Sequence, residues 1–130
     1  MLNRLLHVLC RSLPMYLRDA RPWSGPGQQP IQRAIDNLVG DQQMYAQRVA
    51  EAIAELDGGP DPGRFPMEFT AIHDLSLDFL LQKVIERQRR DLAAIERCAA
   101  DLAGAPSLHA LAEEILGNAR GHLEILEKEG

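Results

Sequence analysis

Apolar residues recur along the chain in alternating steps of four and three. The longest run reads Ile31, Ile35, Leu38, Gln42, Tyr45, Val49, Ile53 and Leu56, a spacing that keeps one side of an α-helix turned toward a core. A helix is therefore predicted from Ile31 to Leu56. Two members of its buried row, Gln42 and Tyr45, are polar and lie one turn apart. A first helix is predicted from Leu2 to about Ala20, with Leu2, Leu6, Leu9, Leu13 and Tyr16 inward. Pro14 falls inside it and removes a backbone donor, so a kink is expected near Cys10 to Leu13. The third helix is expected from about Asp74 to Ala103, with Leu77, Leu81, Val84, Gln88, Leu92, Ile95, Ala99 and Leu102 in its row. In the fourth, Ser107 suits the N-cap and the row is Leu108, Leu111, Ile115, Ala119, His122 and Leu126. Gln88 and His122 are thus two more polar residues in predicted buried rows.

The breaks between these rows are rich in proline and glycine. Pro22, Gly25, Pro26, Gly27 and Pro30 make a connector that cannot be helical, with Pro30 suited to the start of the second helix, and Asp57-Gly58-Gly59-Pro60 closes that helix. From Gly58 to about Ile72 the prolines are interleaved with Phe65, Met67 and Phe69. Aromatic residues need cover, so an ordered crossover is predicted rather than a loose linker. About fourteen residues at roughly 3.3 Å each span the length of a bundle, which would let helices two and three run parallel. The expectation is one all-α domain over residues 1–130, a four-helix bundle with a long crossover between helices two and three.

Composition narrows the functional classes. Aromatics make up only 5% of the 130 residues, and Ala and Leu are abundant, which favours helices. The formal charge is -5 with acids and bases interspersed, so no basic face offers itself to nucleic acid. No apolar run approaches the roughly 20 residues of a membrane span. Met1 to Leu13 is apolar but broken by Asn3, Arg4, His7 and Arg11, and reads as a helix of the domain rather than a signal peptide. Cys10 and Cys98 form neither a disulfide framework nor a metal motif, which fits a reduced, cytoplasmic setting. No nucleophile-base-acid arrangement or phosphate loop appears, and no enzyme activity is predicted.

The opening Leu2-Asn3-Arg4-Leu5-Leu6 with Tyr16, Ala20 and Arg21, the stretch Glu51-Ala52-Ile53-Ala54-Glu55-Leu56-Asp57-Gly58-Gly59-Pro60, and Glu114-Ile115-Leu116 with Gly121-His122 resemble the ferritin-like superfamily, most nearly bacterioferritin. The resemblance covers nearly the whole chain. It implies a bundle whose interior holds two irons, bound by a Glu from each of two helices and a Glu-x-x-His from each of the other two. Carried onto this sequence, the first-helix Glu falls on Leu9. The second-helix pair falls on Gln42 and Tyr45, the third-helix Glu on Gln88, and the fourth-helix pair on Ala119 and His122. Only His122 keeps its ligand type. Paired irons in a low-dielectric core need carboxylates to neutralise them, and Leu, Gln, Tyr and Ala supply none. The methionine that would hold an interfacial haem is replaced by Gln43, and Met44 projects in another direction.

No cofactor or metal is therefore expected, and Gln42, Tyr45, Gln88 and His122 are expected to hydrogen-bond across the bundle as a satisfied polar layer. Two other uses are weighed. One is a mononuclear metal site on His122 with Tyr45, Asp41 or Glu86, and the other is a pocket for a small organic ligand reaching Gln42 and Gln88. A shift of one turn in helix three would turn Glu86 inward instead of Gln88. His7, His73 and His109 suit surface or capping roles. The expected function is a metal-free binding or oligomeric scaffold module without ferroxidase activity. Bacterioferritin-like iron binding or storage through a site outside the family pattern is the alternative. The resemblance implies a homodimer through the first two helices, and an unidentified protein partner is compatible with it. The chain has no fifth short helix after the fourth, so a dimer rather than a 24-subunit shell is expected.

Overall fold

The structure is a computed structural model that describes residues 2–20, 29–56, 58–66, 69 and 77–129. They form the helices α1 (Leu2–Cys10), α2 (Leu13–Ala20), α3 (Gln29–Glu55), α4 (Leu77–Asp101) and α5 (Pro106–Glu129), with no strand among the described residues. The chain is all-α, as its periodicity predicts. Pro22, Gly25 to Gly27, Met67, His73 and the predicted start at Asp74 lie outside the described residues. No helix among the described residues is long and apolar enough to cross a membrane.

Pro14 divides the first predicted helix in two. The break falls at Arg11 and Ser12, where the Ser12 hydroxyl accepts the Met15 N–H at 3.3 Å and so caps α2. Pro14 then sits in the first turn of α2, where its missing N–H leaves no helical bond unmade. The Cys10 carbonyl, which a proline four residues on cannot serve, is approached by Arg11 Nη1 at 3.4 Å.

Three helix-end details differ from the expectation. Leu56 is 65% exposed rather than in the buried row, because α3 closes at Glu55 with a Gly58 N–H to Ile53 carbonyl bond of 2.9 Å. Ser107 does not cap α5. Pro106 already occupies its first position, and the Ala105 carbonyl accepts the His109 N–H at 2.8 Å. The buried row of α5 is Ala112, Ile115, Leu116, Leu123 and Leu126, while Leu108, Leu111, Ala119 and His122 are half-buried at its edge.

Two apolar clusters set the helix directions. Leu13 and Leu17 of the first pair join Ile31 and Leu38 of α3, Leu81 and Val84 of α4 and Leu126 of α5 in one cluster. Leu2 and Leu9 join Val49 and Ile53, Ile95 and Leu102, and Ala112 and Ile115 in the other. The beginnings of α3 and α4 share one end of the molecule and their final turns share the other. They therefore run in the same direction, with α1 and α5 opposed to them.

The chain between α3 and α4 returns along α1. Asn3 Nδ2 donates to the Gly59 carbonyl at 3.3 Å and its Oδ1 accepts the Asp61 N–H at 2.8 Å. His7 Nδ1–H donates to the Pro62 carbonyl at 3.0 Å, and Arg11 Nε to the Gly63 carbonyl at 2.8 Å. Asn3 and His7 on α1, and Arg11 just after it with its N–H still bonded to the His7 carbonyl, are spaced by four and so share one side. Further along, the rings of Phe65 and Phe69 pack on Tyr16 at 5.4 and 5.7 Å. The aromatic residues of the crossover thus have the cover their presence required. Gly63 has φ of 73°, and a Cβ there would lie 2.2 Å from His7 Nδ1. We expect Gly63→Ala to cost about 1 to 2 kcal/mol in urea unfolding, from left-handed strain and displacement of the His7 ring. Gly59→Ala, with nothing within 4 Å of the added Cβ, is the comparison expected to change little.

Candidate functional site

The long α3 brings Gln42 and Tyr45 inward, and α4 brings Gln88 inward at 5% exposure while Glu86 faces solvent. The register of the third predicted helix is therefore the one that turns Gln88 to the core. Leu9 is buried beside Tyr45 in the apolar cluster, and Ala119 packs against the same cluster at its edge. The positions singled out in the sequence thus line the interior or its margin, but they do not form one mutually bonded layer. Each polar member bonds outside the quartet.

Gln42 Oε1 accepts the Ser12 hydroxyl at 2.8 Å. One short hydroxyl thus contacts both the α2 backbone and the α3 amide, tying the break in the first helix to the middle of α3. Gln88 Nε2 donates to Asp91 Oδ2 at 3.2 Å, within α4. Burial pushes the Asp91 carboxyl up to about 6, against the opposing pull of Arg87 and Arg90. A carboxylate with that value is part protonated near neutrality, which an exposed aspartate is not.

Tyr45 and His122 bond along the seam between α3 and α5. The Tyr45 hydroxyl donates to Glu114 Oε2 at 2.8 Å, and Arg48 Nη1 reaches the same oxygen at 2.6 Å. One helical turn away, Asp41 Oδ2 accepts both Asn118 Nδ2 at 2.8 Å and His122 Nε2–H at 2.7 Å. Asp41, Tyr45 and Arg48 on α3 thus oppose Glu114, Asn118 and His122 on α5 as two antiparallel polar rows. The Asn118 amide and then the His122 imidazole hold Asp41 below the usual carboxylate range. Arg48 and Tyr45 lower Glu114 in the same way. Tyr45 is raised, first by burial and then by Glu114, so it remains a neutral phenol. These rows are suited to aligning two helices and keeping two carboxylates charged.

Sequence reasoning missed Ser12 and Asp91. Ser12 was legible as a cap, since a serine two residues before a proline marks the start of a helix as well as it marks a kink. Asp91 lies three residues after Gln88, hence on the same side of α4, but it was hidden in the charged run from Glu86 to Asp91.

The donor set does not fit a di-iron centre. The six positions present an aliphatic side chain, a methyl, two amides bonded elsewhere, a phenol and an imidazole already bound to Asp41. The Asp41–His122 and Tyr45–Glu114 pairs each bring two ligand types into contact, at 2.7 and 2.8 Å, but neither is joined by a third ligand. Among the described residues no group of three or more His, Cys, Asp or Glu is arranged to hold a metal ion. Met44 is 47% exposed on the outside of α3, away from the core. His109 bonds the Ala99 carbonyl in the last turn of α4 at 2.8 Å, a capping role, whereas His7 bonds the Pro62 carbonyl of the crossover. Cys10 and Cys98 are free thiols that burial raises above the ordinary value.

A cleft of about 330 Å³ opens at the end of the molecule between Leu2, Ile53, Leu56, Leu102 and Leu108. Neither Gln42 nor Gln88 lines it, so it is not the predicted amide-lined pocket. No protein-family profile, curated protein or solved structure matches the chain.

Proposed function

We propose that this chain is a ferritin-like four-helix-bundle module that acts without iron, as a binding or oligomeric scaffold rather than as a di-iron ferroxidase. The observation that carries this reading is the use of Gln42. Its side chain occupies a ligand position of the resembling family, yet it serves as a neutral acceptor for Ser12 at 2.8 Å and so ties two helices together. The parallel course of α3 and α4, with the crossover laid along α1, supports the bundle topology on which the residue-by-residue comparison depends.

The test is elemental analysis of untagged protein after incubation with ferrous iron and desalting. Wild type is expected to retain substoichiometric iron and to show no oxygen-dependent iron oxidation above background. A Gln42→Glu/Tyr45→His/Gln88→Glu/Ala119→Glu variant is expected to gain iron, because it restores three carboxylates and a second imidazole to the interior. One or more tightly held irons per wild-type chain would sink the proposal.

A second reading, iron binding outside the family pattern, has the 2.7 Å Asp41–His122 contact in its favour. It requires that wild-type iron be lost on His122→Ala and kept on Gln42→Leu.

A further inference from the structure

The first turns of α5 carry a histidine and a glutamate four residues apart, His109 and Glu113, a spacing that sets one above the other on the same side of the helix. The His109 ring is not free to choose its tautomer. Its Nδ1 lies 2.8 Å from the Ala99 carbonyl, and a carbonyl can only accept, so the neutral ring carries its proton on Nδ1. Nε2 is then a bare lone pair. It lies 3.6 Å from Glu113 Oε1, too far for a hydrogen bond, and both side chains are open to solvent, at 37% and 51% exposure. Glu114 and Glu127 on the same helix are held by Arg48 and Arg89, whereas Glu113 has no lysine or arginine partner among the described residues.

Two electron-pair donors turned toward one another across such a gap can be bridged by a metal ion. Zinc bonds imidazole nitrogen at about 2.0 Å and carboxylate oxygen at about 2.1 Å, which at a tetrahedral angle puts the donor atoms roughly 3.4 Å apart. The separation of 3.6 Å between Nε2 and Oε1 is close to that span. A bond from Nδ1–H to a backbone carbonyl is also the outer-shell contact that orients metal-binding histidines and raises their basicity. The Asp41–His122 pair lacks this preparation. There Nε2 carries the proton and donates it to Asp41 at 2.7 Å, and the His122 side chain is only 12% exposed. Imidazole beside carboxylate selects a divalent transition ion over magnesium or calcium, which take oxygen ligands. Among the described residues no third His, Cys, Asp or Glu joins the pair, so the other positions of a tetrahedral ion are left to water.

We propose that His109 Nε2 and the Glu113 carboxylate form a two-ligand site for a zinc-like divalent ion on the outside of α5, completed by water. Through the Ala99 carbonyl the ion is linked to the last turn of α4, so it clips the turn between α4 and α5. The inference goes beyond the scaffold reading and uses none of the six interior positions. Ferrous iron stands below zinc in affinity for such donors, and two protein ligands do not hold it through desalting, so the iron test is decided separately.

The experiment is calorimetric titration of the full chain with zinc chloride in a non-chelating buffer that contains millimolar magnesium, with far-UV circular dichroism as the check that each variant is folded. Wild type is expected to bind one zinc ion per chain. His109→Ala is expected to abolish binding. Glu113→Gln leaves the ring bonded to Ala99 and is expected to weaken binding by at least the roughly tenfold that loss of an outer-shell partner costs. It carries the test if His109→Ala destabilises the turn through its lost carbonyl bond. Ring-nitrogen NMR is expected to show His109 Nε2 shifting on addition of zinc while the His122 signals stay in place. Absence of saturable zinc binding, the behaviour of an ordinary ion pair, overturns the proposal. Binding that survives Glu113→Gln and is lost on His122→Ala overturns it as well. Neither result touches the iron-free reading, which stands or falls on iron analysis.

Discussion

Replacing Asp91 with Asn raises the unfolding free energy at pH 7.5 by up to about 3 kcal/mol and flattens its dependence on pH between 5 and 8. The folded carboxyl titrates near 6, whereas an unfolded aspartate titrates near 3.8. Each unit of separation is about 1.4 kcal/mol. Because the folded value is the higher one, the folded state binds the extra proton, and Asp91 favours folding fully only below about 3.8. That contribution is lost as pH rises through about 6, so the Asp91 share of wild-type stability falls by about 1 to 1.5 kcal/mol between pH 5 and pH 8. Asp41 and Glu114 shift in the opposite direction. Their contributions are complete above the unfolded carboxylate range and fade only in stronger acid, so of these three carboxyls only Asp91 changes stability between 5 and 8, and the difference between variant and wild type reports it. Asn keeps an oxygen for Gln88 Nε2 while removing the charge that burial penalises. Urea titrations of both proteins at half-unit pH steps check this. Parallel wild-type and variant curves from pH 5 to 8 would contradict it.

Ser12→Ala lowers stability by about 2 to 4 kcal/mol, a larger loss than exposed serines give. The hydroxyl caps α2 through the Met15 N–H and also satisfies Gln42 Oε1 at 2.8 Å. Loss of a cap costs about 1 kcal/mol. A buried amide left without its partner adds about 1 to 3 kcal/mol. A double-mutant cycle separates these terms. In Ser12→Ala/Gln42→Leu the stranded amide is gone, so roughly half the loss should return, leaving the capping cost. Strictly additive losses would mean that Ser12 and Gln42 are energetically uncoupled.

The helices were legible because their apolar spacing is long and regular. Ile31 to Ile53 in α3 and Leu81 to Leu102 in α4 each carry enough turns to fix which side is inward, and Gln42 and Gln88 followed from that register. The rotation of α5 was not legible: Leu108, Leu111 and His122 share an apolar-looking row with Ile115, but Ala112, Leu116 and Leu123 offer a second row one residue away, and packing chooses between them. The break at Ser12 was visible as a kink, yet its chemistry was not, since the partner of a buried hydroxyl depends on which helix passes beside it. For the same reason sequence placed Gln42, Tyr45, Gln88 and His122 inward without giving their partners. Those partners, Ser12, Glu114, Asp91 and Asp41, are set by helix crossing and not by spacing along any one helix.

The path of the crossover has a consequence for how the chain can come apart. Its hydrogen bonds to Asn3, His7 and Arg11 all end on α1 or the residue just after it, so this stretch belongs to the N-terminal half. What remains are two antiparallel hairpins, the first pair with α3 and α4 with α5, that meet through both apolar clusters and through the polar rows of α3 and α5. An exchange of hairpins between two chains would therefore have to break both apolar clusters and the polar seam of α3 and α5, while every described helix stayed wound.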